Sequence, residues 1–312
     1  MPDNILFLIS LVALFLSGSW AINALENFGR ILRLSQFTLG FVIMAFATNL
    51  PELFVGVNAV AQDQTQLSFG DLIGSNLVNL GLILGLVFIL GKKQDYQPIF
   101  KRDIMINLFI VAVLFLFISD GLLSQVEGFI LLFFFGFRLY SLFKEQDLVV
   151  GKVKKLYEPK SKSFIHLLSF FFFTALLLIS AYYVVTLGTE IAKNFGVSSF
   201  VVGLVAVAFG TSLPELIFSI HAVVRNKMTM AIGNLLGSAL INFTLILGFV
   251  AALKPISFNT ENVWWSIICL TIISLILFTA EIKKFNNNLL LGIFLVTVYL
   301  LYIVGELNII TV

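Results

Sequence analysis

Residues 40–85 of the chain recur, without a gap, as residues 203–248: at a constant offset of 163, twenty-one of the 46 aligned pairs are identical. The first copy reads GFVIMAFATNLPEL and then GDLIGSNLVNLGLILG; the second reads GLVAVAFGTSLPEL and then GNLLGSALINFTLILG. Apolar stretches share Leu and Val by chance. They do not by chance share Thr, Pro, Glu, Gly, Ser and Asn in register, so the pattern marks an internal duplication. A chain built this way folds as two related halves, and its chemistry is expected where the copies meet.

Composition says what the halves are made of. Of 312 residues, 59% are hydrophobic and 12% charged, about half the charge of an ordinary soluble domain. Apolar runs of the ~20 residues needed to cross a bilayer recur from end to end. The chain is therefore a multi-pass membrane protein. Hydropathy and punctuation give ten helical spans, near 5–24, 37–61, 69–91, 103–119, 122–143, 164–190, 198–224, 230–253, 262–281 and 287–306. The 34 Phe suit lipid-facing surfaces. Only Asp3 is charged ahead of the first span, so it lacks the basic start of a cleaved signal and is read as a retained helix. Cys269 is the single cysteine, which excludes an intrachain disulfide. With two His besides, no zinc, haem or iron–sulfur centre is implied, and no cofactor is expected.

The longest polar stretch, 144–163, contains the Lys-rich run VVGKVKKLYEPKSKS and divides the chain into a first five-helix repeat (1–143) and a second (164–312). Sixteen of the 19 Lys and Arg fall in loops on one side of this arrangement. They include Arg30, Arg33, Lys92, Lys93, Lys101, Arg102, Arg225, Lys227, Lys283, Lys284 and the linker lysines. Lys193 and Lys254 fall on the other side, and Arg138 lies within the fifth span. The basic side is cytoplasmic by the positive-inside rule, so both termini face outward from the plasma (inner) membrane. The linker lysines serve as a topology signal or, alternatively, as a contact for anionic lipid. Because five is odd, the second half enters the membrane in the opposite sense to the first. The fold class expected is an all-α membrane protein of ten transmembrane helices in two inverted-topology repeats.

Glu52 and Glu215, equivalent in the two copies, are the only carboxylates the span boundaries place deep in the bilayer. Asp3, Asp63, Asp71, Asp120, Glu127, Glu190, Glu261 and Glu306 are assigned to outer helix ends. Glu26, Asp95, Asp103, Glu145, Asp147, Glu158 and Glu281 are assigned to the inner side. An ionisable group at bilayer depth costs at least ~2.5 kcal/mol and needs a partner. Neither glutamate has a Lys or Arg in its own span, so a cation or a proton is the natural partner. The purely structural alternative, a neutral glutamic acid joining two helices, suits one buried Glu better than two related ones.

Each glutamate follows a proline, Pro51 or Pro214, which cannot donate to the carbonyl four residues earlier, that of Ala47 or Gly210. Such carbonyls are tolerated at membrane depth only against protein or a wet cavity, and they are suitable oxygen ligands for Ca2+ and Na+. Thr48, Asn49, Thr211 and Ser212 add side-chain oxygens in the same turns. In the second motif Ser75 and Asn79 lie four residues apart on one helix face, as do Ser238 and Asn242. They read either as interhelical glue or as the other half of an oxygen cage, with Gly70, Gly74, Gly233 and Gly237 permitting close packing. Asn242-Phe-Thr244 matches a glycosylation sequon but falls inside a span.

At these residues the chain resembles the calcium/cation antiporter superfamily, specifically the prokaryotic Na+/Ca2+ exchanger branch, with GTSLPEL and GSNLVN as the signatures that carry the resemblance. The resemblance implies a secondary-active antiporter, not an enzyme, exchanging Ca2+ for Na+ by alternating access through four sites about the midplane. It implies Glu52 and Glu215 as shared acidic ligands, Asn79 and Asn242 completing the central position, and backbone carbonyls from Ala45 and Ala208. Thr48, Ser212, Thr211, Ser75 and Ser238 would complete the sodium sites, with Asn49 replacing the usual serine. Spans 1 and 6 would slide against the rest.

One position departs from the pattern: this branch commonly carries aspartate where the chain has Asn242. Two carboxylates neutralise one Ca2+, two Na+ or two H+, but not three Na+, and unbalanced buried charge is costly. H+/Ca2+ antiport through the same two glutamates is therefore the alternative. A cation channel would line its pore with repeated acidic rings, and an intramembrane enzyme would need a nucleophile–base pair that the motifs lack. The partners expected are the bilayer and small cations, with no nucleic acid, and the chain is read as a monomer.

Overall fold

The computed structural model describes residues 39–61, 63–91, 98–150, 165–176, 208–258, 260–283 and 287–311, with scattered positions between 9 and 27 and between 179 and 183. Most of the first span, the later part of the sixth, the start of the seventh and the linker beyond 150 lie outside these residues. The expectation that spans 1 and 6 slide therefore falls largely outside them too.

Among the described residues, five helices are long and apolar enough to cross a membrane: Thr65–Leu90, Gln125–Leu142, Met228–Leu253, Val263–Ile282 and Asn288–Glu306. The protein is a multi-pass membrane protein, almost wholly helical among the described residues. Its helices are α1 (Ala45–Thr48), α2 (Leu50–Ala61), α3 (Thr65–Leu77), α4 (Leu84–Leu90), α5 (Pro98–Phe117), α6 (Gln125–Val150), α7 (Ala208–Thr211), α8 (Leu213–Val224), α9 (Met228–Leu240), α10 (Leu247–Leu253), α11 (Thr260–Ile282) and α12 (Asn288–Thr311). π-Helical turns at Leu39–Met44, Val78–Ile83 and Ile241–Ile246 precede α1 and join α3 to α4 and α9 to α10. Helix α6 runs to Val150, into the stretch read from sequence as linker.

The two copies of the repeat break at the same places. Asn49 (φ −83°, ψ 4°) separates α1 from α2, and Ser212 (φ −80°, ψ 0°) separates α7 from α8. These backbones lie in the sparsely used region where a helix stops and restarts. Pro51 and Pro214 cause the break locally, because proline is at home only in the first turn of a helix. The spans predicted at 37–61 and 198–224 are thus not continuous helices: each is interrupted just before its glutamate. The turns that follow α2 and α8 also match. Asp63 (φ 59°) and Asn226 (φ 58°) both take the left-handed conformation, which short polar side chains tolerate. Gln64 and Lys227 then donate N–H bonds of 2.8 Å to Ala59 and Ala222, closing the same C-terminal cap twice.

The segments Thr65–Leu90 and Met228–Leu253 form the centre, each with 83% of its apolar window buried. Gly237 of α9 packs against the π turn Leu39–Met44 so tightly that a Cβ would sit 2.6 Å from the Phe41 carbonyl oxygen. Helix α6 lies outside, and its Phe129, Phe133 and Phe137, spaced four apart, are all more than 60% exposed. That stripe is the lipid-facing surface expected of the Phe-rich composition. Where α5 meets α6, Arg138 Nε donates to Asp103 Oδ1 at 3.0 Å, Nη2 bonds the same oxygen, and the guanidinium lies 5.3 Å from the centre of the Phe41 ring. Asp103 is completely buried, and Glu306 is 1% exposed. The sequence placed Asp103 toward the inner side and Glu306 at an outer helix end; helix packing buries both side chains, Asp103 where α5 packs on α9 and α11.

Candidate ion-binding site

Glu52 and Glu215 stand in the first turns of α2 and α8, where the helix dipole favours a carboxylate, and both are completely buried. The chain breaks at Asn49 and Ser212 bring the ends of α1 and α7 beside them. On the Glu215 side, Asn49 Nδ2 donates to Ser238 Oγ at 2.8 Å and to the Ala45 carbonyl. Ser238 Oγ in turn donates to Glu215 Oε1 at 3.5 Å. The Thr48 hydroxyl also lies beside Glu215 and bonds the Met44 carbonyl at 3.1 Å.

On the Glu52 side the related residues are Thr211 and Ser75, whose hydroxyl oxygens lie 3.2 Å apart. Thr211 also faces the Ala208 carbonyl at 3.3 Å. Neither oxygen of Glu52 accepts a well-formed hydrogen bond, although the Thr211 hydroxyl lies beside it. Asn79 and Asn242 sit in the π turns Val78–Ile83 and Ile241–Ile246, and such turns are frequent at functional sites because they re-aim a side chain out of the regular ladder. Every one of the twelve residues proposed from sequence is buried: Ala45, Thr48, Asn49, Glu52, Ser75, Asn79, Ala208, Thr211, Ser212, Glu215, Ser238 and Asn242. Side-chain bonds join Asn49 to Ser238, Ser238 to Glu215 and Ser75 to Thr211.

The site contains a third carboxylate. Asp71 of α3, assigned from sequence to an outer helix end, is completely buried. Its Oδ1 accepts bonds from Thr211 Oγ1 at 3.1 Å and Ser75 Oγ at 3.5 Å. Glu215 and Asp71 are the charges that repel Glu52, and Asp71 also repels Glu215. Where two carboxylates were expected in the site, three gather there. A search for residues shared by both copies passes over Asp71 because its counterpart is Asn234. The signal was present on one helix face: Asp71, Ser75 and Asn79 recur every four residues. Asn76 was missed for the same reason, its counterpart being Ala239. Its Oδ1 accepts from Asn242 Nδ2 at 3.1 Å.

Buried oxygens without a hydrogen-bond partner include Asn49 Oδ1, both Glu52 oxygens, Asp71 Oδ2, Asn79 Oδ1, Ser212 Oγ, Glu215 Oε2 and Asn242 Oδ1. Leaving such an acceptor unpaired costs roughly 1–3 kcal/mol each. A concentration of them on one cluster is a donor set for a dehydrated cation.

Residues 4–144 and 165–307 match the family described as sodium/calcium exchanger protein. The chain belongs to that family. It is 29% identical over 304 residues to the membrane protein MJ0091 of Methanocaldococcus jannaschii, covering 94% of this chain and 95% of that one. To the sodium/calcium exchanger MaX1 of Methanosarcina acetivorans it is 24% identical over 351 residues, covering 96% and 98%. Among solved structures, the sodium-calcium exchanger NCX_Mj soaked with Na+ and Sr2+ matches with a TM-score of 0.80 at 26% identity, over 97% of each chain. Another soak of NCX_Mj, at 10 mM Na+ and 10 mM Sr2+, matches with a TM-score of 0.82. Membership in the sodium/calcium exchanger family agrees with the resemblance read from the motifs, and its named relatives MaX1 and NCX_Mj are sodium/calcium exchangers.

Proposed function

We propose that the protein is a secondary-active antiporter that exchanges Ca2+ for Na+ across the inner membrane by alternating access. The observation that carries this reading is the meeting of Glu52 and Glu215, one from each repeat copy, in a buried cluster of oxygens. Among the described residues no Lys or Arg forms an ion pair with either. Ca2+ takes six to eight oxygen ligands, and the two carboxylates, the amide oxygens of Asn79 and Asn242 and the carbonyls of Ala45 and Ala208 supply that chemistry. Thr48, Asn49 and Ser238 on the Glu215 flank, and Ser75 and Thr211 with the adjacent Ser212 on the other, provide neutral oxygens suited to Na+. Asn49 acts here through Oδ1, because its amide nitrogen is engaged by Ser238 and Ala45.

Both ions compete for the same glutamates. The inverted halves exchange faces only when the buried charge is neutralised, because an uncompensated carboxylate at membrane depth is costly. Family membership supports Na+ as the coupling ion, as does the likeness to NCX_Mj, whose soaks with Na+, Ca2+ and Sr2+ concern ion exchange and binding-site occlusion. Exchange for H+ through the same glutamates is the competing reading, motivated by the neutral Asn242. Purified protein in liposomes, loaded with Na+ or held under a pH gradient and offered radioactive Ca2+, separates them. Uptake driven by the Na+ gradient supports the proposal. Uptake that answers only to pH transfers the coupling to protons, and uptake that answers to neither overturns antiport.

A further inference from the structure

We propose that Asp71 is a third acidic ligand, serving a monovalent cation bound on the Ser75–Thr211 flank of the site; this rests on the antiport reading above. Two features of Asp71 point to a ligand. One oxygen is held by Thr211 and Ser75 at 3.1 and 3.5 Å, which fixes the carboxylate. The other, Oδ2, is buried and has no hydrogen-bond partner. Near this carboxylate lie the hydroxyls of Ser75 and Thr211, the Ala208 carbonyl that Thr211 faces, and Glu52. One or two carboxylates with a few neutral oxygens suit Na+.

A purely structural role accounts poorly for the charge. An amide would accept the same bond without the several kcal/mol that burying a carboxylate costs. The second copy makes that comparison within the molecule: there the equivalent residue is Asn234, completely buried, with both side-chain polar atoms unpartnered. Asn49 against Ser212 is a neutral difference, so the two flanks differ by one negative charge, that of Asp71.

The consequence is a charge balance that Glu52 and Glu215 alone do not give. Three carboxylates are neutralised by three monovalent cations, or by one Ca2+ and one monovalent cation. The acid absent at Asn242 is thus replaced by one on the preceding repeat, displaced from the centre to one flank.

The test is Asp71→Asn, which keeps an acceptor for Thr211 and removes only the charge. At saturating Na+ without Ca2+, radioactive Na+ binding to the detergent-purified protein counts the monovalent cations held per chain. The variant is expected to bind one Na+ fewer than wild type, and the double variant Asp71→Asn with Asn234→Asp is expected to recover the wild-type number. An unchanged Na+ number and an unchanged Na+ concentration dependence in Asp71→Asn overturn the inference and leave Asp71 as a structural hydrogen-bond acceptor. Should the variant fail to fold, radioactive Na+ binding to detergent-purified wild type decides: three ions bound per chain support the proposal, and two overturn it. Wild type that takes up no Ca2+ under a Na+ gradient sinks the exchange reading itself, whereas exchanging wild type with an unaltered Asp71→Asn sinks only this inference.

Discussion

Asn76 Nδ2 donates to the backbone carbonyl of Ala239, its own counterpart in the second repeat copy, at 3.2 Å. The bond joins α3 directly to α9 across the two copies. The same side chain steers the site, because its Oδ1 accepts from Asn242 Nδ2 at 3.1 Å and leaves Asn242 Oδ1 available. Asn76→Ala removes both bonds and strands a buried amide. It is expected to weaken Ca2+ activation of transport roughly 10-fold, the lower range for losing a group that orients a metal ligand. The Ca2+ dependence of uptake in proteoliposomes measures this, and an unaltered half-activating Ca2+ concentration would show that Asn76 does not orient Asn242.

Glu52→Gln and Glu215→Gln keep shape and remove charge. Each is expected to lower Ca2+ uptake at least ~100-fold, within the roughly 2–5 kcal/mol expected for truncating one partner of a buried charged interaction. Folding should survive, since the neutral side chain relieves repulsion among Glu52, Asp71 and Glu215. Uptake near wild-type rates in a correctly inserted variant would remove that residue from the site.

The Arg138–Asp103 pair lies away from this cluster and serves the fold. Both side chains are almost fully buried, at 4% and 0% exposure. Breaking the pair from one side leaves a buried charge without its counter-ion, which costs roughly 3–5 kcal/mol. Arg138→Met or Asp103→Asn should each lower the melting temperature in detergent strongly, and Arg138→Met with Asp103→Leu should recover most of the loss. A double variant as unstable as the sum of the single ones would show that the two residues are not coupled.

Much of the site was legible in the sequence because duplication prints each element twice. Glu52 and Glu215 stand out at equivalent positions beside Pro51 and Pro214, and the Ser–Asn spacing follows from helix geometry. What escaped were the asymmetric residues. Asp71 opposes Asn234 and Asn76 opposes Ala239, so neither stood out against its copy. Burial of Asp103 and Glu306 was not legible either, because distance from a loop along the chain does not report how neighbouring helices enclose a side chain. The helix interruptions at Asn49 and Ser212 were masked by continuous hydropathy across 37–61 and 198–224, which registers apolar length but not where a helix restarts.

Gly237 couples packing to the site most directly. It adjoins Ser238 and faces both the Phe41 carbonyl and Ala45, and a methyl group there would come within 2.6 Å of the first and 2.9 Å of the Ala45 Cβ. The Phe41 contact is backbone, so the π turn Leu39–Met44 must move rather than a side chain rotate. Gly237→Ala is expected to cost about 1–3 kcal/mol as an overpacked contact. It should also displace Ala45 and Ser238 together, raising the Na+ concentration needed for half-maximal exchange. Gly136 on α6 is the control, because a Cβ there meets nothing within 4 Å. Gly136→Ala should leave Na+ dependence untouched and be neutral or stabilising by up to ~1 kcal/mol through helix propensity. Thermal melting in detergent and Na+ titration of Ca2+ flux measure both effects. If Gly237→Ala lowers stability without shifting the Na+ titration, the crossing of α9 with the π turn supports the fold alone and does not set the geometry of the Asn49–Ser238 flank.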